Sequence, residues 1–462
     1  MRTSPRSGNG RSCIGTAQIS LKQPQEASMS SIKIESLDHE GRGVAHCAGK
    51  AVFVEGALPG EIVDYSVFKK KPKVEFANIS KLIRESPHRA TPKCAYFGIC
   101  GGCSMQHLDA ASQVAAKQRV LEDALWHIGR VKPGVILPAI HGPYWEYRHR
   151  ARLSVRYVEK KKKLLVGFNE KRTRYVTDMD SCKVLPRRIS QLIPSLKALI
   201  GGFSIKSRLP QVEIAVGEDA DLLVFRILEA LNDADEAALR EFSIRHSIRI
   251  FLQPKGVDSI YPFHPAESGP LHYALPEFGI SMPFQPSDFT QVNFAINRAL
   301  VRRAISLLRP SHHDRIADLF CGLGNFTLPI AKSGAQVVGI EGSASLVRRA
   351  QENAAKNGIK NANFIEADLF RMDAQRFDAL GRFDKMLIDP PRAGAAEVVE
   401  AIGKNPPSRI VYVSCDPATL ARDANTLVNS KGYDLQAAGA VNMFPHTSHV
   451  ESIALFTLPE VP

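Results

Sequence analysis

No apolar run in this 462-residue chain approaches the 18 or more residues of a membrane span, and no apolar secretory core follows its first basic residues. Cysteines are few, eight at irregular spacing, which argues against a disulfide framework and for the reducing cytoplasm. Internal repeats are absent. Acidic residues are outnumbered, with 47 Asp and Glu against 60 Lys and Arg and a formal net charge of +13. Solubility alone is the plain reading of that excess, but it points to a polyanion such as nucleic acid, because cations that neutralise phosphates release counterions. What is present is a globular balance, 44% hydrophobic, and a length of about three domains.

Residues 1–28 are rich in Ser, Gly, Gln and Arg without hydrophobic periodicity, and read as a disordered basic tail before Met29. From 29 to 88 the segments "IKIESL", "GKAVFVEG", "EIVDYSVF" and "VEFANISKLI" alternate apolar and polar residues between Gly and Pro turns, the pattern of a small β-barrel. Its loop "KKKPK" at 69–73 lies beside Phe68 and Phe76, a basic and aromatic edge suited to nucleic acid or, more blandly, a solvated hairpin tip. The stretch "GRGVAH…GKAVFVEGALPGE" resembles the TRAM domain, which implies RNA binding.

Residues 89–285 read as a central mixed α/β domain. It opens with "CAYFGICGGC", placing Cys94, Cys100 and Cys103 close together, with glycines that let the backbone wrap one centre. A tetrahedral site needs a fourth ligand, and Cys182 in "DMDSCKV" is the best-placed candidate. Thiolate-only ligation suits zinc or an iron-sulfur cluster, and spacing does not separate them. After a helical stretch at 111–129, "YWEYRHRARLSVRYV" repeats Arg148, Arg150, Arg152 and Arg156 with period 2, so they share one face of a strand and face phosphate. The next turn adds more cations.

Residues 286–462 alternate apolar strands with helical segments, as in a doubly wound Rossmann-like sheet. "RIADLFCGLGNFTLPIAKSG" is a strand, a glycine turn and a helix, and the following strand ends in Glu341, where a ribose diol would be hydrogen-bonded. With no third glycine and no Walker lysine after Asp318, neither a pyrophosphate cradle nor a P-loop is supported, which leaves S-adenosylmethionine. Further strand ends carry Asp368 and Asp389, the latter in "DPPR". An aromatic residue after Asp-Pro-Pro would suit amino-group methylation, but Arg392 stands there, and the Pro-Cys pair of a cytosine-5 enzyme is missing.

The strand "VYVSCDPATLARD" ends at Cys415 within reach of the same crevice. A buried core thiol is the plain reading. Uracil carbon-5, however, is too poor a nucleophile to take a methyl group unaided. A thiolate that adds to carbon-6 activates carbon-5, and a base must then remove the carbon-5 proton so that the thiolate can leave. One cysteine and one carboxylate suffice, and Glu451, just before the last strand, is the carboxylate.

Taken together, "DFTQVN", "DLFCGLGNFTLPIA", "DPPRAG", "SCDPATLARD" and "FPHTSHVES" resemble the RNA uracil-5-methyltransferase family. The barrel and the clustered cysteines are similar to its members acting on 23S ribosomal RNA, with a tRNA enzyme as the alternative. The resemblance implies a monomeric, cytoplasmic enzyme without membrane contact, Cys415 as nucleophile and Glu451 as base. It also implies a 4Fe-4S cluster on Cys94, Cys100, Cys103 and Cys182, and an S-adenosylmethionine crevice lined by Gln291, Phe320, Asn325, Glu341, Asp368 and Asp389. A non-catalytic RNA-binding protein would share the barrel and the charge but not the company of Cys415. A radical methylase would need a different cysteine spacing.

Overall fold

The computed structural model describes residues 31–459; the expected basic tail and Met29 lie outside the described residues. Residues 31–84 form a six-stranded sheet that wraps a small core of Ile34, Ala45, Val52, Val54, Ala57, Val63 and Ala77. Its long strands Ile62–Lys70 and Val74–Arg84 meet at the basic turn, where Lys69 and Lys71 lie 5.9 and 5.8 Å from the centre of the Phe76 ring. Arg89 anchors this unit to the next segment through a 2.6 Å ion pair with buried Glu61.

A second six-stranded sheet runs in the order Tyr261–His264, Arg249–Gln253, Asp221–Arg226, Gln211–Val216, Arg150–Val158, Lys163–Gly167. Its arginine strand differs from the expectation. Arg148 precedes the strand, and Arg150 is drawn inward, donating to the carbonyls of Asp288 and Pro286 at 3.0 and 2.6 Å. Arg152 pairs with Glu213 at 2.8 Å, and Arg156 is exposed. Period 2 fixes the side of a strand, whereas the neighbours on that side decide which charges stay free.

The third sheet has eight strands: β1 (Val135–Ile136), β2 (Arg315–Leu319), β3 (Gln336–Glu341), β4 (Ala362–Glu366), β5 (Lys385–Ile388), β6 (Arg409–Ser414), β7 (Asp434–Val441) and β8 (Glu451–Thr457). Their spatial order is β4-β3-β2-β5-β6-β8-β7-β1. Strands β2 to β6 are mutually parallel, and β8 inserts antiparallel to both β6 and β7. Because helices cover both faces, the strands are apolar at nearly every position. Thus Val411 enters one core, while Ile410 and Tyr412 enter the other. The sheet reverses its order between β2 and β5, and such a switch point opens a crevice at the strand C-termini.

The chain also reaches this sheet from well before it. Helix α1 (Ala110–His127) starts at Asp109, whose side chain accepts from the Ser112 N–H at 2.9 Å. Its buried stripe is Gln113, Lys117, Leu121, Ala124 and Leu125, with polar residues at helical spacing where a core stripe would be apolar. No helix among the described residues is long and apolar enough to cross a membrane.

Candidate active site

The strand β2 leads into Phe320, which takes a left-handed backbone (φ 62°), followed by Gly322 (φ 54°) and Gly324 (φ 91°). Only glycine adopts that region without strain, and a strained aromatic there turns its ring into the crevice. The crevice is a cavity of about 540 Å³, within the range of cofactor-sized pockets. All six positions expected at the cofactor line it: Gln291, Phe320, Asn325, Glu341, Asp368 and Asp389, and Cys415 lines it too.

Glu341 closes β3 with its carboxylate held by two backbone donors, Gly322 N–H and Ser343 N–H, each at 3.1 Å. Its remaining lone pairs are available to a diol. Asn325 is less free than its motif suggests: its carbonyl accepts from Tyr273 Oη and Asn297 Nδ2, both at 2.9 Å, and its amide donates back to Asn297 at 3.0 Å. It is therefore a rigid wall element with one amide hydrogen to spare. Phe320 and Phe370, ring centres 5.6 Å apart, form an apolar wall.

Cys415 and Glu451 come together through strand register. Ser414 of β6 pairs with Ser452 of β8 in an antiparallel ladder, so the residue after the first stands across from the residue before the second. Directly opposed residues share a face and sit about 5 Å apart. Glu451 is the first residue of β8 rather than a loop residue, and it is 6% exposed. Burial, then the charge of Asp389, pushes its carboxyl up to about 8. Burial likewise raises Asp389 to about 7. The Cys415 thiol is pushed up to about 11, by burial first and then by Glu451 and Asp389, against the pull of Arg392. Burial thus favours the neutral form of both carboxyls and of the cysteine, which is held as a thiol.

Three further residues lie in the quoted motifs without having been expected at the site. Phe289 of "DFTQVN", 71% exposed, lines the mouth, and His449 of "FPHTSHVES" and Arg392 of "DPPRAG" line the wall beside Cys415. Burial, then Arg392, lowers His449 to about 4, so it is neutral at physiological pH. Lys117, from far upstream in α1, donates to Asn442 Oδ1 at 2.7 Å and to the Phe444 carbonyl at 2.8 Å.

Cys94, Cys100, Cys103 and Cys182 are all free thiols and line one separate cavity of about 160 Å³. Burial and mutual repulsion raise Cys103 to about 12 and Cys182 to about 11. Among the described residues no three His, Cys, Asp or Glu side chains converge tightly enough to hold a metal ion. This thiol lobe touches the segment that leads to Glu451 directly. The N–H groups of Ser104 and Met105 both donate to the His446 carbonyl at 2.9 Å, and Ser448 N–H donates to Ser104 Oγ at 2.9 Å.

Comparison with known proteins places the chain. Residues 280–458 match the tRNA (uracil-5-)-methyltransferase family, and residues 28–79 match the TRAM domain. The chain is 57% identical to the 23S rRNA (uracil(1939)-C(5))-methyltransferase RlmD of Nitrosospira multiformis, over 92% of this chain and 98% of that one. It is 58% identical to the protein of the same name from Aromatoleum aromaticum, with the same coverage of both. The solved Pyrococcus abyssi tRNA (uracil-54, C5)-methyltransferase in complex with S-adenosyl-L-homocysteine aligns with a TM-score of 0.72 and 24% identity, over 93% of this chain and 100% of that one. That last likeness is one of fold.

Proposed function

Since this chain belongs to the RlmD family of RNA uracil-C5-methyltransferases, we propose that its substrate is a uridine of 23S ribosomal RNA and that Cys415 and Glu451 carry out the covalent chemistry. It is an S-adenosylmethionine-dependent enzyme that methylates uracil at carbon-5. The observation that carries the residue assignment is the register of β6 and β8, which sets Cys415, on the cavity wall, opposite the buried Glu451.

S-adenosylmethionine supplies an electrophilic methyl group. Glu341 would hold the ribose diol, Phe320 would pack on the adenine, and Gln291, Asn325, Asp368 and Asp389 would line the remainder of the crevice. The Cys415 thiol gives its proton to water and adds through sulfur to carbon-6, and the ring electrons move to the carbon-4 oxygen as an enolate. Carbon-5 then takes the methyl group with the enolate electrons, the carbon-4 carbonyl is restored, and the methyl–sulfur bond of the sulfonium breaks to leave S-adenosylhomocysteine. Glu451 removes the carbon-5 proton, that electron pair restores the carbon-5 to carbon-6 double bond, and the carbon–sulfur bond breaks to return the thiolate. Arg392 favours the thiolate by its charge.

Cys94, Cys100, Cys103 and Cys182 would hold a 4Fe-4S cluster. The donor chemistry fits, since four thiols surround one cavity whose volume exceeds that of a single ion, and a cationic centre would favour thiolates at Cys103 and Cys182 against the burial, and then the mutual repulsion, that raise them. The TRAM unit supports an RNA partner through the Lys69 to Lys71 turn stacked on Phe76. Incubating the enzyme and S-adenosylmethionine with unmodified 23S transcript, then mapping 5-methyluridine by mass spectrometry, tests the substrate. One methylated uridine in 23S RNA and none in a tRNA transcript is the expected result; methylation of the tRNA alone would replace the reading with a tRNA enzyme.

A further inference from the structure

Helix α1 grips the segment leading to Glu451 with three polar side chains. Gln113 Nε2 donates to the carbonyls of Met105 and Leu108, and Gln113 Oε1 accepts from the His446 N–H at 2.9 Å. Gln118 Oε1 accepts from the Ala440 N–H at 2.9 Å. Between them Lys117 reaches Asn442 and Phe444. Hydrogen bonds alone would explain such a clamp, and the two glutamines meet that need. A lysine adds a charge, which is expensive to bury. Lys117 is 2% exposed and is the only buried lysine or arginine among the described residues.

The position of that charge is specific. Val441 pairs with Glu451 across β7 and β8, and the Lys117 acceptor Asn442 is the next residue. The ammonium thus lies behind the strand position that carries the carboxylate, held there by two acceptors and making no direct ion pair with it. The other charged or titratable groups around Glu451 are Asp389 at the end of β5, which disfavours its ionisation, and Cys415 just after β6, a neutral thiol that Glu451 itself raises, with neutral His449 and His446 in the intervening loop. Arg392 acts on Cys415 and His449 instead. Lys117 alone among these lowers the Glu451 carboxyl, while burial brings Lys117 itself down to about 7.

We propose that Lys117 is a positioning residue for the methylation reaction: its buried ammonium, fixed on Asn442 and Phe444, is the counter-charge that lets Glu451 stand as a carboxylate when the carbon-5 proton has to leave. The inference rests on Glu451 as the base. Cys415 addition and methyl transfer do not require this charge, so its loss slows the last step selectively.

The test follows decay of the covalent protein–RNA adduct in single turnover on unmodified 23S transcript, as a function of pH. Lys117→Gln keeps a hydrogen-bond donor without the charge, Lys117→Met keeps the length of the stem in case Gln does not fold, and Lys117→Arg keeps the charge. In either neutral variant the adduct should form but decay about tenfold more slowly near neutral pH, with its pH midpoint about one unit higher and the rate recovering in alkali. The Arg variant should return the midpoint toward that of the parent. Gln118→Leu, which loosens the clamp at Ala440 but leaves the ammonium on both of its acceptors, should leave the midpoint in place. A neutral variant with the parental midpoint, or a Gln118→Leu midpoint displaced as far as that of Lys117→Gln, would overturn the proposal. If Glu451→Gln leaves adduct decay unchanged, the base assignment fails first, and that result is separate from any Lys117 outcome.

Discussion

Cys415 and Glu451 stand across from one another at the ends of two antiparallel strands, the first following Ser414 and the second preceding Ser452 in a paired register. The proposed nucleophile and base are therefore spaced by a β-ladder rather than by a loop, and a one-residue slip of β8 would turn the carboxylate to the opposite face. Because β8 is fully interior between β6 and β7, such a slip would break hydrogen bonds on both edges.

From this spacing, Glu451→Gln should separate the two halves of the reaction. The amide preserves shape but cannot take the carbon-5 proton, so the adduct should accumulate on ordinary uridine, with product release reduced by about 100-fold or more, as for loss of a general base. Denaturing gels of enzyme mixed with labelled 23S transcript read this directly; normal turnover without adduct would reassign the base.

Adduct formation should also depend steeply on pH. The Cys415 thiol, held up to about 11 by burial and by Glu451 and Asp389, is protonated below that value, so the thiolate fraction rises about tenfold per unit as pH increases toward it. Measured in the Glu451→Gln background, where decay does not interfere, the rate of adduct formation should climb through neutrality into alkali. A plateau already reached near neutral pH would mean that the free enzyme stores a thiolate.

Much of the site was legible because its residues sit at strand ends inside short motifs: Glu341 after "VVGI", Asp389 before Pro-Pro, Cys415 before Asp-Pro. Strand order makes such ends converge, so listing them approximates the crevice. Lys117 was not legible, since a lysine in an amphipathic helix ordinarily faces solvent and only tertiary packing of α1 on β7 buries it. Nor was the fate of Arg150, whose period-2 neighbours suggested a phosphate face until the 286–288 carbonyls claimed its guanidinium. Asn325 was found as a site position, but its reciprocal bond with Asn297 depends on a helix remote in sequence.

Asp318 gives a stability test. It is fully buried at the end of β2, accepts from Thr327 Oγ1 at 2.5 Å, and has its other oxygen without a partner. Burial raises its carboxyl to about 7. Since the folded state holds the proton more tightly than the unfolded chain, the contribution is present below the ordinary value of 3.8 and is lost as pH rises through about 7. Asp318→Asn should therefore raise the Tm by several degrees at pH 8 and make little difference near pH 4. An equal Tm for both proteins at pH 8 would show that the charge is already compensated.

For the thiol cavity, protein purified without oxygen should carry iron and sulfide, and Cys182→Ser should lose most of the iron while retaining S-adenosylmethionine binding in the other cavity. Stoichiometric zinc without iron would replace the cluster assignment. A complete cluster in the Cys182→Ser protein would remove that residue from the ligand set.

The most direct measurement of the central claim uses 23S transcript carrying 5-fluorouridine in place of uridine. Fluorine leaves Glu451 no carbon-5 proton to remove, so the reaction should halt after methyl transfer. A protein–RNA band that survives denaturing electrophoresis should appear only with S-adenosylmethionine present, and should be absent in Cys415→Ala. A folded Cys415→Ala protein that still makes the band, or that still converts uridine to 5-methyluridine, would contradict the account.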